Sequence, residues 1–328
     1  MPQIGRFDRL KSKDADFVVS NGLVEQNEQE KQLEYELFNS SVPISTLWKN
    51  KDDTKKLITW NDEWEEYLEH RRKLIELAPI GTYFPWNIAK TLRNNFANGL
   101  ALNQSNQGSC AGAAYRNALL ASDMVNAKFA GYDEITETGV DMVYALARGN
   151  GRLAWGGGCN GTPIVKYGTE IGNYRTSDLG PYDPRGRNVT TSNFNNATFK
   201  ANAFKHQSIC CYLPDTRFDT FYKALSAGFS VWIGSSRFPS NARIENGISI
   251  PNNWTSGNHA TCFQMGITES GRCLLYWQNS HGDRYRTNGD KFETPYSGTW
   301  VDESNFGNFQ INQNFGTPFA IFGELIEL

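Results

Sequence analysis

Long apolar runs are missing from this 328-residue chain. No stretch approaches the roughly 18 apolar residues that cross a bilayer, so a membrane-spanning helix is excluded and no membrane partner is expected. The N-terminal stretch MPQIGRFDRLKSKDADF has no apolar core of signal-peptide type, which predicts a protein that stays in the cytoplasm. Cysteine is sparse: Cys110, Cys159, Cys210, Cys211, Cys262 and Cys273 are the six, and none forms a Cys-x-x-Cys pair. With only four histidines beside them, a zinc ribbon or finger is excluded, and neither metal nor other cofactor is expected. In a chain without an export signal these thiols are expected to stay reduced. Excess positive charge is also missing. The net charge is −3, which argues against a nucleic-acid partner held by a basic field. Gly156-Gly-Gly158 is not followed by Gly-Lys-Ser/Thr, so it is no phosphate cradle.

The charge that is present is unevenly placed. Residues 1–78 hold 28 charged side chains, whereas the remaining 250 residues hold 39. This contrast predicts a boundary near Pro79, with 1–78 as a charged N-terminal arm and 79–328 as the folded domain. Within the arm, Glu25 to Phe38 reads as a surface helix. From Trp60 to Leu77 the residues Trp60, Trp64, Tyr67, Leu68, Leu74 and Ile75 recur at helical spacing opposite a Glu/Arg face, and Pro79 ends the pattern. Such a stripe packs on the main domain or, on the sharper alternative, docks on a partner protein in an assembly.

Beyond Pro79 the pattern predicts helices at about 110–128, 139–148, 162–170 and 217–227. Strands are predicted at Ser230–Gly234, Thr261–Thr268, Cys273–Gln278 and Phe319–Glu324, each rich in β-branched and aromatic residues. Helices come first and strands later, which predicts an α+β fold rather than alternating βαβ units.

Chemistry concentrates in Asn103-Gln-Ser-Asn-Gln-Gly-Ser-Cys110-Ala-Gly-Ala-Ala. A polar loop runs into a small-residue helix with Cys110 at its start, where the helix dipole and unpaired N–H groups favour a thiolate. A lone cysteine there needs partners. His259 heads an apolar strand, and Asn279 closes another in a position to orient an imidazole.

The order Gln, Cys, His, Asn with these flanks resembles the papain family of cysteine peptidases, and most closely its non-secreted bacterial and phage-type members. Gln104 and Cys110 have the family's spacing, His259-Ala260 matches its His-Ala element, and Asn279-Ser280-His281-Gly282 matches its Asn-Ser-x-Gly element. Weaker similarities are Met142–Arg148, Gly158-Cys-Asn-Gly161, Gly180–Asp183 and Leu225–Gly234. The resemblance, spanning about residues 100–300, implies a papain-like fold with a helical lobe and a β-barrel-like lobe flanking a cleft. It implies Cys110 as nucleophile, His259 as base and then acid, Asn279 as orienting residue, and Gln104 as oxyanion donor with the Cys110 backbone N–H. Gly158, Asn160 and Gly161 would line the substrate cleft, and the partner would be a peptide or protein substrate.

The departures are equally specific. Gln107-Gly-Ser-Cys110 also fits a second register of the family motif, in which Cys110 would take a disulfide position opposite Cys159 and Ala113 the nucleophile's position. Ala111 replaces the family's aromatic after the nucleophile, His281 replaces the tryptophan that shields the Asn, and Thr162 replaces a cleft glycine. These changes leave a second reading beside the peptidase: a structural protein, such as a phage virion component, built on a papain-like scaffold with weak or no activity. A cell-wall amidase with the same Cys–His–Asn logic is a third.

Overall fold

The computed structural model describes residues 23–49, 56–93, 102–104, 107–183, 188–281, 289–295, 297–324, 326 and 328. The first 22 residues of the charged segment and Gly282 of the Asn-Ser-x-Gly element lie outside the described residues.

The expected α+β class is the one found, with a helical half packed on a β half. The β half is a seven-stranded sheet in the order β1-β4-β9-β5-β6-β7-β8. Its strands are β1 (Leu57–Ile58), β4 (Ile209–Tyr212), β5 (Ser230–Glu245), β6 (Ile248–Glu269), β7 (Arg272–Gln278), β8 (Gly298–Asp302) and β9 (Phe319–Phe322). Only β1 and β4 run parallel; the other neighbours are antiparallel. A small ribbon, β2 (Thr138–Gly139) with β3 (Tyr174–Arg175), lies in the helical half. The strands expected at 230–234 and 261–268 are the inner parts of a much longer hairpin. Its outer part carries polar residues without strict alternation, and it pairs because the partner strand is continuous across the Asn246-Gly247 turn, where both residues take positive φ.

The helices predicted from periodicity are present at Cys110–Ala130, Asp141–Arg148, Gly161–Glu170 and Phe218–Ser226. The first of these is the axis of the molecule. It is buried through nearly its whole length, with small and apolar residues on most sides and the polar Arg116, Asn117, Ser122 and Asn126 buried among them. Small residues allow the close approach. A side chain on Gly112 would meet Tyr144 Cβ at 2.9 Å, and one on Gly161 would meet the Trp232 ring at 2.7 Å. Gly131, at φ 72°, ends the helix in the left-handed conformation.

The charged segment does not stand apart from this core. β1 adds to the main sheet beside β4, and the helix Asp62–Leu77 lays Trp64, Tyr67 and Leu68 against Phe229, Phe322 and their neighbours. Trp64, Tyr67 and Leu68 of the apolar stripe therefore pack on their own chain, while Leu74 stays exposed. Arg71, on the face the sequence pattern assigns to solvent, is fully buried. Its Nε donates to the Ala227 carbonyl at 2.8 Å, and its guanidinium lies 4.2 Å and 4.4 Å from the ring centres of Phe129 and Phe229. Trp64→Ala is accordingly expected to cost about 3–5 kcal/mol, as for a large aromatic lost from a core. Chemical denaturation checks this, and a loss below about 1 kcal/mol would mean that the segment is a detachable arm.

Candidate active site

Cys110 is the first residue of the central helix. The capping position, Ser109, makes no side-chain cap, so the first-turn N–H groups are left for other acceptors. Trp232, from β5, donates its indole N–H to the Ala111 carbonyl at 3.2 Å and so ties this first turn to the sheet. Ala113 lies a turn further along inside the helix, fully buried.

His259 projects from β6 opposite Ser235 of β5, just before the pairing shifts by one residue. Bulges of this kind re-aim side chains beside sites. The next residue, Ala260, lies in the same apolar cluster as Cys110, and its N–H is among the groups that lower the Cys110 thiol. Asn279 follows the end of β7, anchored by its N–H to the Ser297 carbonyl at 2.7 Å.

The polar contacts define a tautomer. Asn279 Oδ1 accepts the Ser280 N–H at 2.7 Å and lies 2.7 Å from His259 Nε2. An oxygen can only accept, so Nε2 carries the proton and Nδ1 presents a lone pair. Nδ1 is buried and has no hydrogen-bond partner among the described residues. The ring is gripped by Phe238, with centres 4.9 Å apart, and by His281, stacked 5.2 Å away at 14°. The residue that replaces the family's shielding tryptophan thus still covers the His259 ring with a flat face.

Gln104 is held in three ways: its N–H donates to the Ser280 carbonyl at 2.8 Å, its Oε1 accepts from the Ser280 hydroxyl, and its Nε2 donates to the Gln107 carbonyl at 2.9 Å. Hydrogen bonds thus join His259, Asn279, Ser280 and Gln104 in one chain, while Cys110 starts the central helix in the apolar cluster that also holds Ala260, the neighbour of His259. Asn160 is placed differently from a substrate contact. It is fully buried and caps the Gly161–Glu170 helix through the Thr162 N–H. Gly161 is enclosed between Trp232 and Gly316, and Gly158 remains partly exposed.

Two expectations change. First, the cleft is filled. Residues 23–27 run between the halves: Leu23 bridges to Cys159, the Gln26 side chain donates to Thr162 Oγ1 at 2.5 Å, and the Gln26 N–H donates to the Asn314 carbonyl at 2.6 Å. Leu23 is 1% exposed and belongs to the same apolar cluster as Cys110, Cys159 and Phe315. The substituted Thr162 is thus an anchor for the chain's own segment. Nothing in Asn21-Gly-Leu-Val-Glu-Gln26 signals this, because its partners are scattered over the whole sequence.

Second, the helix terminus does not prevail over burial. Burial pushes the Cys110 thiol up to about 12, against the lowering effect of the Ala260, Ala111 and Cys110 N–H groups. Burial likewise pushes His259 down to about 4, although its bond to Asn279 acts the other way. In the closed molecule the proton therefore belongs on sulfur and both groups are neutral. The thiolate expected from the dipole needs solvent that the buried site does not admit.

All six cysteines are free thiols. Among the described residues no helix is long and apolar enough to cross a membrane, and no group of three or more His, Cys, Asp or Glu could hold a metal ion.

No family model matches the chain, and no curated protein matches it. Among solved structures it is similar to xylellain, a cysteine protease from Xylella fastidiosa, at 16% identity and a TM-score of 0.45, covering 69% of this chain and 83% of that one. It is also similar to digestive procathepsin L 3 of the Tenebrio molitor larval midgut, at 10% identity and a TM-score of 0.44, over 92% and 94% of the two chains. A third likeness is to bromelain of Ananas comosus in complex with the E64 inhibitor, at 13% identity and a TM-score of 0.43, over 74% and 97%.

Proposed function

We propose that this chain is a papain-like cysteine peptidase acting on peptide or protein amides, held closed by its own residues 23–27. One observation carries the reading. A buried imidazole is fixed by Asn279 at Nε2, which leaves Nδ1 as the nitrogen to accept a thiol proton; among the described residues that nitrogen has no partner, the Cys110 sulfur included. A buried polar atom left without a partner calls for an explanation, and a proton acceptor awaiting the opened site is the one that the Asn279 bond to Nε2 allows.

In the opened site the Cys110 proton passes to His259 Nδ1 and the sulfur adds to the scissile carbonyl carbon. The carbonyl electron pair moves to oxygen, where the Cys110 backbone N–H and the remaining Gln104 Nε2 hydrogen receive it. The oxyanion then collapses, the C–N bond breaks, and the leaving amine takes the Nδ1 proton. Water adds to the thioester with Nδ1 as base, releasing the acid and the thiol. Asn279 keeps Nε2 protonated throughout.

The burial of Cys110 favours the second reading, a structural protein on the same scaffold, because a thiol held at about 12 has no nucleophilic form at neutral pH. Turnover of a mixed fluorogenic peptide library separates the two. The chain without residues 1–26 is expected to hydrolyse at least one member, and Cys110→Ala in that background to hydrolyse none. Absence of turnover from the opened chain, or turnover surviving Cys110→Ala, removes the peptidase reading.

A further inference from the structure

The closing segment enters the cleft with two side chains three positions apart. Leu23 and Gln26 are buried, whereas Val24 and Glu25 between them face solvent. Leu23 fills an apolar place beside Cys159 and Phe315, over the backbone of Gly234, where an added Cβ would meet it at 3.0 Å. Gln26 fills a polar place, and the group that defines it is the carboxylate of Glu34, from the helix Glu28–Ser40.

Glu34 Oε1 accepts the Thr317 N–H at 2.8 Å and the Thr162 hydroxyl at 3.3 Å, and its Oε2 accepts from Gln26 Nε2 at 3.0 Å. Gln26 Nε2 also donates to Thr162 Oγ1 at 2.5 Å. The carboxylate is therefore held by three neutral donors and has no cationic partner among the described residues. Lys31, three residues earlier on the same helix, is taken by Glu28 at 2.8 Å. The place is within reach of a side chain lying in the cleft, because the Gln26 amide nitrogen already sits there.

Chemistry then selects the occupant. An ammonium or guanidinium group carries the donors that Gln26 gives to Thr162 and Glu34, and adds the positive charge that glutamine lacks. Hydrogen bonds between charged partners are roughly twice as strong as neutral ones. A carboxylate in this place would meet Glu34 as a like charge, and an aliphatic group would leave both acceptors without their donor. Glu34 lies outside the stretch of about residues 100–300 that resembles the papain family, so this place is built by the chain's own N-terminal helix.

We propose that Glu34 and Thr162 form a subsite for a cationic side chain, and that the opened cleft takes peptides carrying Lys or Arg three positions from an aliphatic residue. That such peptides are cleaved rests on the peptidase reading above. The preference for a cation does not, because the chain's own segment occupies the same place.

Hydrogen exchange of the full chain tests the preference without turnover. The backbone N–H at position 26 donates to the Asn314 carbonyl at 2.6 Å, so its protection reads how firmly the segment is seated. Gln26→Met, of similar length and without donors, sets the baseline. Gln26→Lys is expected to protect this amide at least tenfold better than Gln26→Met, and Gln26→Glu at least tenfold less well than the native glutamine. Glu34→Gln keeps an acceptor for the Thr317 N–H while removing the charge; in that background the advantage of Gln26→Lys over Gln26→Met is expected to shrink at least fivefold. No advantage of Gln26→Lys, or one that survives Glu34→Gln undiminished, overturns the proposal. In the full chain opened by Leu23→Asp with Gln26→Ala, Leu-x-x-Lys peptides are expected to be cleaved with a kcat/KM at least ten times that of Leu-x-x-Glu peptides. Equal cleavage of the two overturns the substrate preference. Cleavage of neither, together with the expected exchange pattern, removes the peptidase reading and supports the cation subsite.

Discussion

Removing residues 1–26 is expected to raise the rate of Cys110 alkylation by iodoacetamide at pH 7 by a factor of about 10³ or more. In the closed molecule burial places the thiol at about 12. Its thiolate fraction at pH 7 is then about 10⁻⁵, against roughly 3% for an unperturbed thiol. The truncation takes away Leu23, which lies against Cys159, and Gln26, which ties Thr162 to the 3-10 turn at Asn314. Asn27 is kept because it caps the Glu28–Ser40 helix by a reciprocal pair of bonds with Glu30. With water admitted, the helix terminus and a His259 free to accept a proton act on sulfur without the desolvation that now opposes them. The sign follows from both shifts. A raised thiol and a lowered imidazole each favour the neutral form, and exposure relaxes both toward the ion pair. Peptide mapping of the labelled protein reads the rate at each cysteine. Leu23→Asp in the full chain is expected to act in the same direction more weakly, since Gln26 still holds. Unchanged labelling of Cys110 in both proteins would show that residues 23–27 do not close the site.

The second large effect concerns the base. In the opened chain His259→Ala is expected to lower kcat by at least about 10³, the scale of a lost general base together with its pairing to the nucleophile. Asn279→Ala is expected to cost about 10–10², because Asn279 orients the ring and fixes its tautomer without touching the substrate. Gln104→Ala is expected to cost about 10², the loss of one oxyanion donor, with KM little changed. Cys110→Ala combined with His259→Ala should be no worse than Cys110→Ala alone, since the two act as a unit. His281 is the control. Its ring stacks on His259 at 5.2 Å, so His281→Ala removes a packing partner and is expected to cost under about tenfold, as a group that takes no proton in the reaction. If His281→Ala abolishes turnover while His259→Ala does not, the base has been assigned to the wrong histidine.

The residues that the reading depends on were legible without coordinates because each belongs to a local pattern. Cys110 stands where a polar loop meets a small-residue helix, His259 heads the apolar inner stretch of β6, and Asn279 follows the end of β7. Such features depend on neighbours within a few positions, so periodicity and turn chemistry carry them. The α+β class was legible for the same reason. Composition misled where charge and burial part company. Residues 57–77 are rich in Glu, Lys and Arg, yet β1 and Trp64 are built into the main core, and Arg71 is buried through a carbonyl and two aromatic rings.

What the amino-acid sequence by itself determined is therefore the identity of the candidate chemical groups and the elements that present them. The tertiary structure alone decided their state. Whether Cys110 is a thiol or a thiolate depends on whether water reaches it, and on the proposed reading that depends on Leu23 meeting Cys159 and Gln26 meeting Thr162 across more than a hundred residues of chain. Desolvation is a property of everything packed around a group, and no local pattern of residues encodes it.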